Sequence, residues 1–548
     1  MSSAQESGSW PYARGFQNCS ETCDPVTLKV QGNIPKWLEG VLYRTGSGTY
    51  KIPSKKNPEI VFSFDHWFDG LGQVHRFEIR NGVVTYRSRN VASEDEKYIE
   101  ENGRLPITKI TFGQDICENI FKKFFTVFQA SISSNNLSDN PNSGNIAVTL
   151  TTSLPNPEVN STTKNNRTLV LGTDANVLKS IDPITLEPIQ NFSFKKFHPT
   201  LSGPMAPAHY QYDSETGEYF SFVSNTGPRP EFSIFSIKTD EETGKPITTI
   251  LATIPSKLAY LHSFSMTKKY IIFILWQCDF AMGGAKILWE RNIVRSFVPW
   301  DPNQKTHFYV IDRKLKKHVA TYTSPTFYCF HTINAYDEGD DVIIDLSQYK
   351  DNSIIFQLTI NRLSGSETIA DKLPPRFDNG RLHRYKLCNI SNHLDSVDLN
   401  YGNDKFPNAE LVFATPEDLN VELPVVNFSR YYMKKYQYVY GISHSGSNPH
   451  IFFDRLIKID LNRTEDGSFN HKIWQQFGCI PSEPIFVPAP NAVEEDDGVI
   501  TSVVLDGTKN TSFLLILDAK SFKEIARAEM ELGTVVPYGF HGLWNNLD

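Results

Sequence analysis

Short apolar runs recur along all 548 residues, separated by clusters of Gly, Asp, Asn, Pro and Ser, and this recurrence most constrains the fold. Residues 219–224, 270–276, 307–312, 342–346, 499–505 and 512–517 are each rich in β-branched and aromatic side chains. Those side chains suit a pleated, half-buried surface, and runs of that length bounded by turn residues read as β-strands. Polar turns at 213–217 and 506–510 join pairs of runs into antiparallel hairpins. Strong helical periodicity is scarce. A single ordinary core stops growing well short of this length, yet no linker divides the chain. Many small antiparallel units resolve the conflict, so the fold class is all-β, either a β-propeller or a pair of large sandwiches. The units are too dissimilar in sequence to count.

Two stretches, 133–145 and 151–168, are rich in Ser, Asn, Thr and Pro and read as surface insertions. Two others are amphipathic. The segment from Ile116 to Phe128 spaces Ile120, Phe121, Phe124 and Phe125 around Lys122 and Lys123. The segment from Ile287 to Trp300 sets Leu288, Trp289, Ile293, Phe297 and Val298 among Arg291 and Arg295. Apolar bodies flanked by cations suit a membrane surface, and equally suit packing on a core. Residues 1–14 are polar and lack the apolar stretch of a signal peptide, and no apolar run reaches about 18 residues. The expected location is therefore cytoplasmic, with Asn-x-Ser/Thr triplets such as that at Asn160 left unmodified. Seven Cys without metal-type spacing agree with a reducing compartment, and Cys19 and Cys23 stand alone in a polar segment. A net charge of −8 argues against nucleic acid as the partner.

Four of the fourteen His residues share a context that the others lack. His209, His262, His331 and His541 each stand beside aromatic or apolar residues at the start or end of a strand. Tens to hundreds of residues separate them, so they can meet only at a common axis. An all-imidazole set without thiolates suits iron, copper or zinc. The bland alternative is four unrelated structural histidines.

The motifs around these residues carry a resemblance. Met205-Ala-Pro-Ala-His209, Leu261-His262-Ser263-Phe264, Phe330-His331-Thr332 and Phe540-His541-Gly542 resemble the four His motifs of the carotenoid cleavage oxygenases. Gly40-Val-Leu-Tyr-Arg-Thr-Gly46, Asp65-His-Trp-Phe-Asp-Gly70 and Val74-His-Arg-Phe77 are similar to that family's N-terminal signature. Pro481-Ser-Glu-Pro-Ile-Phe486 and Glu494-Glu-Asp-Asp-Gly498 resemble its C-terminal one, in the animal and fungal branch. The likeness runs from about Leu28 to Trp544 and implies one propeller domain over 28–548 behind an N-terminal segment, 1–27. The implied fold is a seven-bladed β-propeller with helical elements and loops covering an axial Fe(2+) site. His209, His262, His331 and His541 would be its ligands, with Glu422 supporting His331, Glu483 supporting His541 and Asp174 supporting His262. Such carboxylates fix each ring's tautomer and aim. Asp174 and Ser47 depart from the family pattern, which has Glu and Pro there. Asp is shorter by one methylene, roughly 1.5 Å of reach, so either the backbone moves in or a water bridges.

The resemblance implies oxidative cleavage of a double bond in a carotenoid or apocarotenoid, with O2 as co-substrate. The polyene would lie in an apolar tunnel, with Phe64, Phe327 and Phe540 as candidate walls. Ile116 to Phe128 and Ile287 to Trp300 fall where the family's membrane-facing patch lies, which implies peripheral membrane association. Cys117 stands where some relatives carry an acylated Cys, although Glu118 replaces the expected basic neighbour. A retinoid isomerohydrolase or a stilbene-cleaving oxygenase would keep the same metal site. A carotenoid carrier or an interaction scaffold would have no use for the four His.

Overall fold

A computed structural model describes residues 11–106, 109–113, 140–157, 168–226, 229–366, 377–394, 406–446 and 451–547. Its strands form seven antiparallel sheets in ring order around one axis, with a small two-stranded ribbon beside them. This settles the choice between propeller and sandwich. Blade I runs outward from Gly539–Asn546 through Gly40–Thr49, Leu71–Arg80 and Val83–Asn90 to Val26–Thr27. Blade II holds Thr149–Thr151, Leu169–Gly172, Leu178–Ile181 and Pro188–Phe192. Blade III begins at Gln211–Asp213, blade IV at Ser265–Met266, blade V at Tyr328–Glu338 and blade VI at Glu422–Val425, with four strands each. Blade VII starts from Cys479–Pro481 and Ile485–Pro488 and continues through Gly498–Asp506, Thr511–Asp518 and Glu524–Glu529 to Lys29–Gly32.

The two chain ends close the ring. The C-terminal strand enters blade I from the inside, with Leu42 opposite Trp544 and Arg44 opposite Gly542. The N-terminal strand Lys29–Gly32 completes blade VII from the outside against Glu529 to Ala526. Interlocking the ends joins the first and last blades by backbone hydrogen bonds. Ahead of it, a 3₁₀ turn at Pro11–Phe16 packs onto the propeller with Tyr12 and Phe16 buried.

Blade stacking explains why the strands read as nearly continuous apolar runs. In Thr511–Asp518, Phe513, Leu515 and Leu517 join the central core shared with Tyr440 and Ile442 of blade VI. Leu514 and Ile516, pointing the other way, join Leu42, Phe77 and Val84 of blade I. Each blade has apolar neighbours on both faces, so the period-2 alternation that marks a half-exposed strand is lost. Long connections within blades IV and V carry the short helices Ala285–Glu290, Ser353–Gln357 and Ile360–Leu363. Leu358, between two of them, reaches the wall of the central cavity.

Candidate metal centre

Each of the seven blades supplies one residue to the axis. Blade I gives His541, II Asp174, III His209, IV His262, V His331, VI Glu422 and VII Glu483. Local irregularities aim them. His331 sits where the pairing register shifts between Cys329 and Thr332, and His541 faces the shift between Arg44 and Gly46. Bulges of this kind turn a side chain out of the regular pleat. His209 and His262 lie just ahead of their blades' first strands, and the His209 N–H donates to the His262 carbonyl at 3.1 Å. Ser263 fixes the next blade, donating through Oγ to the Phe330 carbonyl at 2.7 Å and accepting from the Thr332 N–H at 3.1 Å.

The four imidazoles offer nitrogens that all lie within 4.8 Å of one another. His209 Nε2 and His541 Nε2 are 3.0 Å apart. Two nitrogens each about 2.1 Å from a shared ion and at a right angle would be about 3.0 Å apart. His331 Nε2 is buried and lacks a hydrogen-bond partner. Burial first, and the neighbouring imidazoles second, hold His209 and His541 well below the usual imidazole range, so both rings are neutral. Neutral rings with converging lone pairs fit a cation and little else.

Three of the rings are held from behind. His331 Nδ1 meets Glu422 at 2.5 Å and His541 Nδ1 meets Glu483 at 2.8 Å. His262 Nδ1 meets both oxygens of Asp174, at 2.8 and 3.0 Å. The shorter carboxylate therefore reaches its ring directly, and no bridging water is required. The Tyr260 hydroxyl donates to the same carboxylate at 2.7 Å and the Ala208 N–H at 3.1 Å. Glu422 accepts from the Leu423 N–H at 2.9 Å, across a backbone turned into the left-handed region at Leu423 (φ +44°). A side chain at Gly380 would strike Ser347 Oγ at 2.2 Å and crowd Glu422 Oε1 at 3.0 Å, so glycine is needed there. Burial would raise the Glu422 carboxyl, but His331 and the Leu423 N–H outweigh it and hold it below the usual range. Burial wins at Glu483, whose carboxyl is pushed up to about 7 against the pull of Arg44 and the Gly542 N–H.

Beside the imidazoles lies a cavity of about 610 Å³, walled by aromatic rings that include Trp67, Phe68, Phe112, Phe330 and Phe540. The segment from Asp65 to Gly70 builds much of it. Trp67 and Phe68 face the cavity, His66 stacks on Phe112 at 5.3 Å, and Asp69 accepts from the Phe112 and Gly113 N–H groups at 2.7 and 2.9 Å. Ser47 ties the same segment down by donating to the Trp67 and Gly70 carbonyls, a bond that Pro could not make. Phe540 lines the wall as expected, whereas Phe64 and Phe327 are buried in the core and lie off it. Tyr260, Phe68, Phe112, Phe330 and Arg44 were not foreseen. Tyr260 stands two residues before His262 in an extended stretch, and that i−2 spacing is the signal that could have found it.

The segment from Ile287 to Trp300 divides. Ile287 and Phe297 are buried, Ile293 and Trp300 pack partly on the core, and Val298 faces outward. Ile116 to Phe128, with Cys117, lies outside the described residues. None of the described helices is long and apolar enough to cross a membrane. The six described Cys are all free thiols.

Comparison with known proteins agrees with this geometry. The family model for retinal pigment epithelial membrane protein matches residues 15–546. A carotenoid dioxygenase of Neurospora crassa is 34% identical over 97% of this chain and 90% of its own length. A torulene dioxygenase of Gibberella fujikuroi is 33% identical, covering 98% and 93%. The human mitochondrial carotenoid-cleaving dioxygenase is 31% identical, covering 94% and 88%. Among solved structures, the cobalt-substituted Synechocystis apocarotenoid oxygenase shares the fold with a TM-score of 0.72 at 20% identity, over 98% of both chains. Matched along nearly its whole length, the chain belongs to the retinal pigment epithelial membrane protein and carotenoid oxygenase family.

Proposed function

We propose that this protein is an Fe(2+)-dependent dioxygenase that cleaves one double bond of a carotenoid or apocarotenoid and gives two carbonyl fragments. His209, His262, His331 and His541 would hold the metal, with Asp174, Glu422 and Glu483 aiming three of the rings. One observation carries the reading. Among the described residues the cavity wall holds two carboxylates, Asp174 and Glu422, and each is already bonded to an imidazole, so neither is free to relay a proton. The cleavage needs no relay, because each alkene carbon gains one oxygen atom of O2 and no proton enters or leaves. Bound iron would supply the binding and activation of O2. The chain's own residues do the rest. The Nδ1–H groups of three rings donate to their carboxylates and leave each Nε2 as a lone pair directed at the centre. Trp67, Phe330 and Phe540 exclude water and present apolar faces to a polyene, which offers few hydrogen-bonding groups.

Carotenoids reside in lipid, so the enzyme would have to reach its substrate there. The outward Val298, and Met282 on the same connection in blade IV, support a membrane-surface docking face. The test of function is incubation of iron-loaded protein with β-carotene, torulene and a C30 apocarotenoid under ¹⁸O2, with products read by mass spectrometry. One labelled oxygen in each carbonyl fragment supports the reading. Intact polyene with a changed isomer pattern would overturn it in favour of an isomerase.

A further inference from the structure

Two adjacent rings, Phe452 and Phe453, 8% and 5% exposed, form a panel in the wall of the central cavity. Their centroids are 3.7 Å apart, Phe452 meets Phe377 at 5.2 Å, and Phe453 stacks on Tyr538 at 5.8 Å. The same two rings also line a second, narrow space. Its other walls include Ile451, Ile480 and the N-terminal Tyr12 and Phe16. Its lining is apolar save for the Tyr12 and Tyr538 phenols, and apolar voids take up small hydrocarbons in preference to water. Pro11–Phe16 is seated firmly over it, with Gly507 so close beneath that a side chain there would meet the Pro11 carbonyl at 1.7 Å.

We propose that Phe452 and Phe453 form the end wall of the substrate cavity and determine specificity. They stop the polyene at a fixed depth and so select which double bond lies beside the four imidazoles. Removing either ring would leave the room that a longer chain would enter. A polyene has little polar functionality to set its register, so a steric stop is the available device. This inference rests on the cleavage reading above.

The experiment compares the iron-loaded full chain with its Phe452→Ala and Phe453→Ala variants on a C40 carotene and a C30 apocarotenal, reading product lengths by mass spectrometry. One methylene more or less in an apolar pocket changes discrimination by about 10-fold or more. Removing a ring should therefore move the cut by at least one conjugated unit and change the C40-to-C30 rate ratio by at least ~10-fold. The same bond cut in every variant, with a ratio within about twofold of the parent, would overturn the proposal. Phe452→Leu and Phe453→Leu carry the test if the Ala variants lose their thermal transition. If the unsubstituted protein cleaves neither polyene, the functional reading fails, and the wall is tested by tryptophan-fluorescence quenching with C20, C30 and C40 polyenes. A longest bound polyene that grows in the Ala variants supports the wall, and an unchanged limit refutes it.

Discussion

Asp174→Asn should weaken divalent metal binding by about 10- to 100-fold without unfolding the protein. Three donors converge on this carboxylate: His262 Nδ1 at 2.8 Å, the Tyr260 hydroxyl at 2.7 Å and the Ala208 N–H at 3.1 Å. Asn keeps the size but turns one oxygen into a donor, which then faces a donor. A hydrogen bond to a charged group contributes about 1.5–3 kcal/mol and a neutral one about 1, and a buried donor left unpaired costs about 1–3. The loss at this one position is therefore about 2–4 kcal/mol, shared between folding and the aim of His262. The assay is titration of metal-free protein with Co(2+) against a competing chelator, alongside a thermal melt without metal. Asp174→Glu is the companion variant. A methylene inserted where the carboxylate already meets the ring should cost about 1–3 kcal/mol through crowding, so Glu should not improve binding. A Co(2+) affinity within about twofold of the parent in Asp174→Asn, or tighter binding in Asp174→Glu, would refute the account of how this ring is held.

Other outcomes follow from the same geometry. His331→Ala should abolish stoichiometric metal binding, whereas His444→Ala, off the axis and outside the cavity wall, should leave it unchanged; equal metal content in both would sink the ligand assignment. Burial holds His66 to about 4 despite its bond to the Ile355 carbonyl, and its Nδ1 accepts from the Phe68 N–H, so the folded ring stays neutral. Between pH 6.5 and 4 the unfolded chain takes up a proton that the folded one refuses. Stability therefore falls with falling pH by about 1.4 kcal/mol per unit, about 2 kcal/mol by pH 5. Chemical denaturation at pH 7.5, 6 and 5 should show a shallower fall for His66→Asn, and parallel profiles would show that the ring does not contribute.

The fold class was legible because turn chemistry and strand composition are local. The hairpins at 213–217 and 506–510 stand where they were read, between Gln211–Asp213 and Glu218–Asn225 and between Gly498–Asp506 and Thr511–Asp518. Propeller and sandwich could not be separated from the strands alone. The deciding facts are pairings across the whole chain, Leu42 with Trp544 and Lys29 with Glu529, and neither leaves a local pattern. The four His were legible through their apolar neighbours. Their grouping on one axis depends on seven blades of correct size, which no spacing encodes. Tyr260 carries its i−2 spacing from His262 and Arg44 lies inside the motif from Gly40 to Gly46, but only the fold shows which carboxylate each one faces.

The charges around the axis explain why a divalent ion suits this site. Imidazoles that ligate a metal do so as neutral rings and would contribute nothing to the balance, while Asp174, Glu422 and Glu483 would bring three negative charges into a buried region. Arg44, 1% exposed and 3.5 Å from Glu483, offsets one of them. Two remain, and isolated buried charges are strongly disfavoured unless they are paired. The carboxyl that Arg44 faces is nevertheless the one pushed up to about 7, so one guanidinium at that distance does not overcome burial. A dipositive cation held by the imidazoles balances the remainder and favours ionised carboxylates behind the rings. The same ionised carboxylates fix the Nδ1–H tautomers that direct the Nε2 lone pairs inward, so charge balance and ligand aim impose the same requirement.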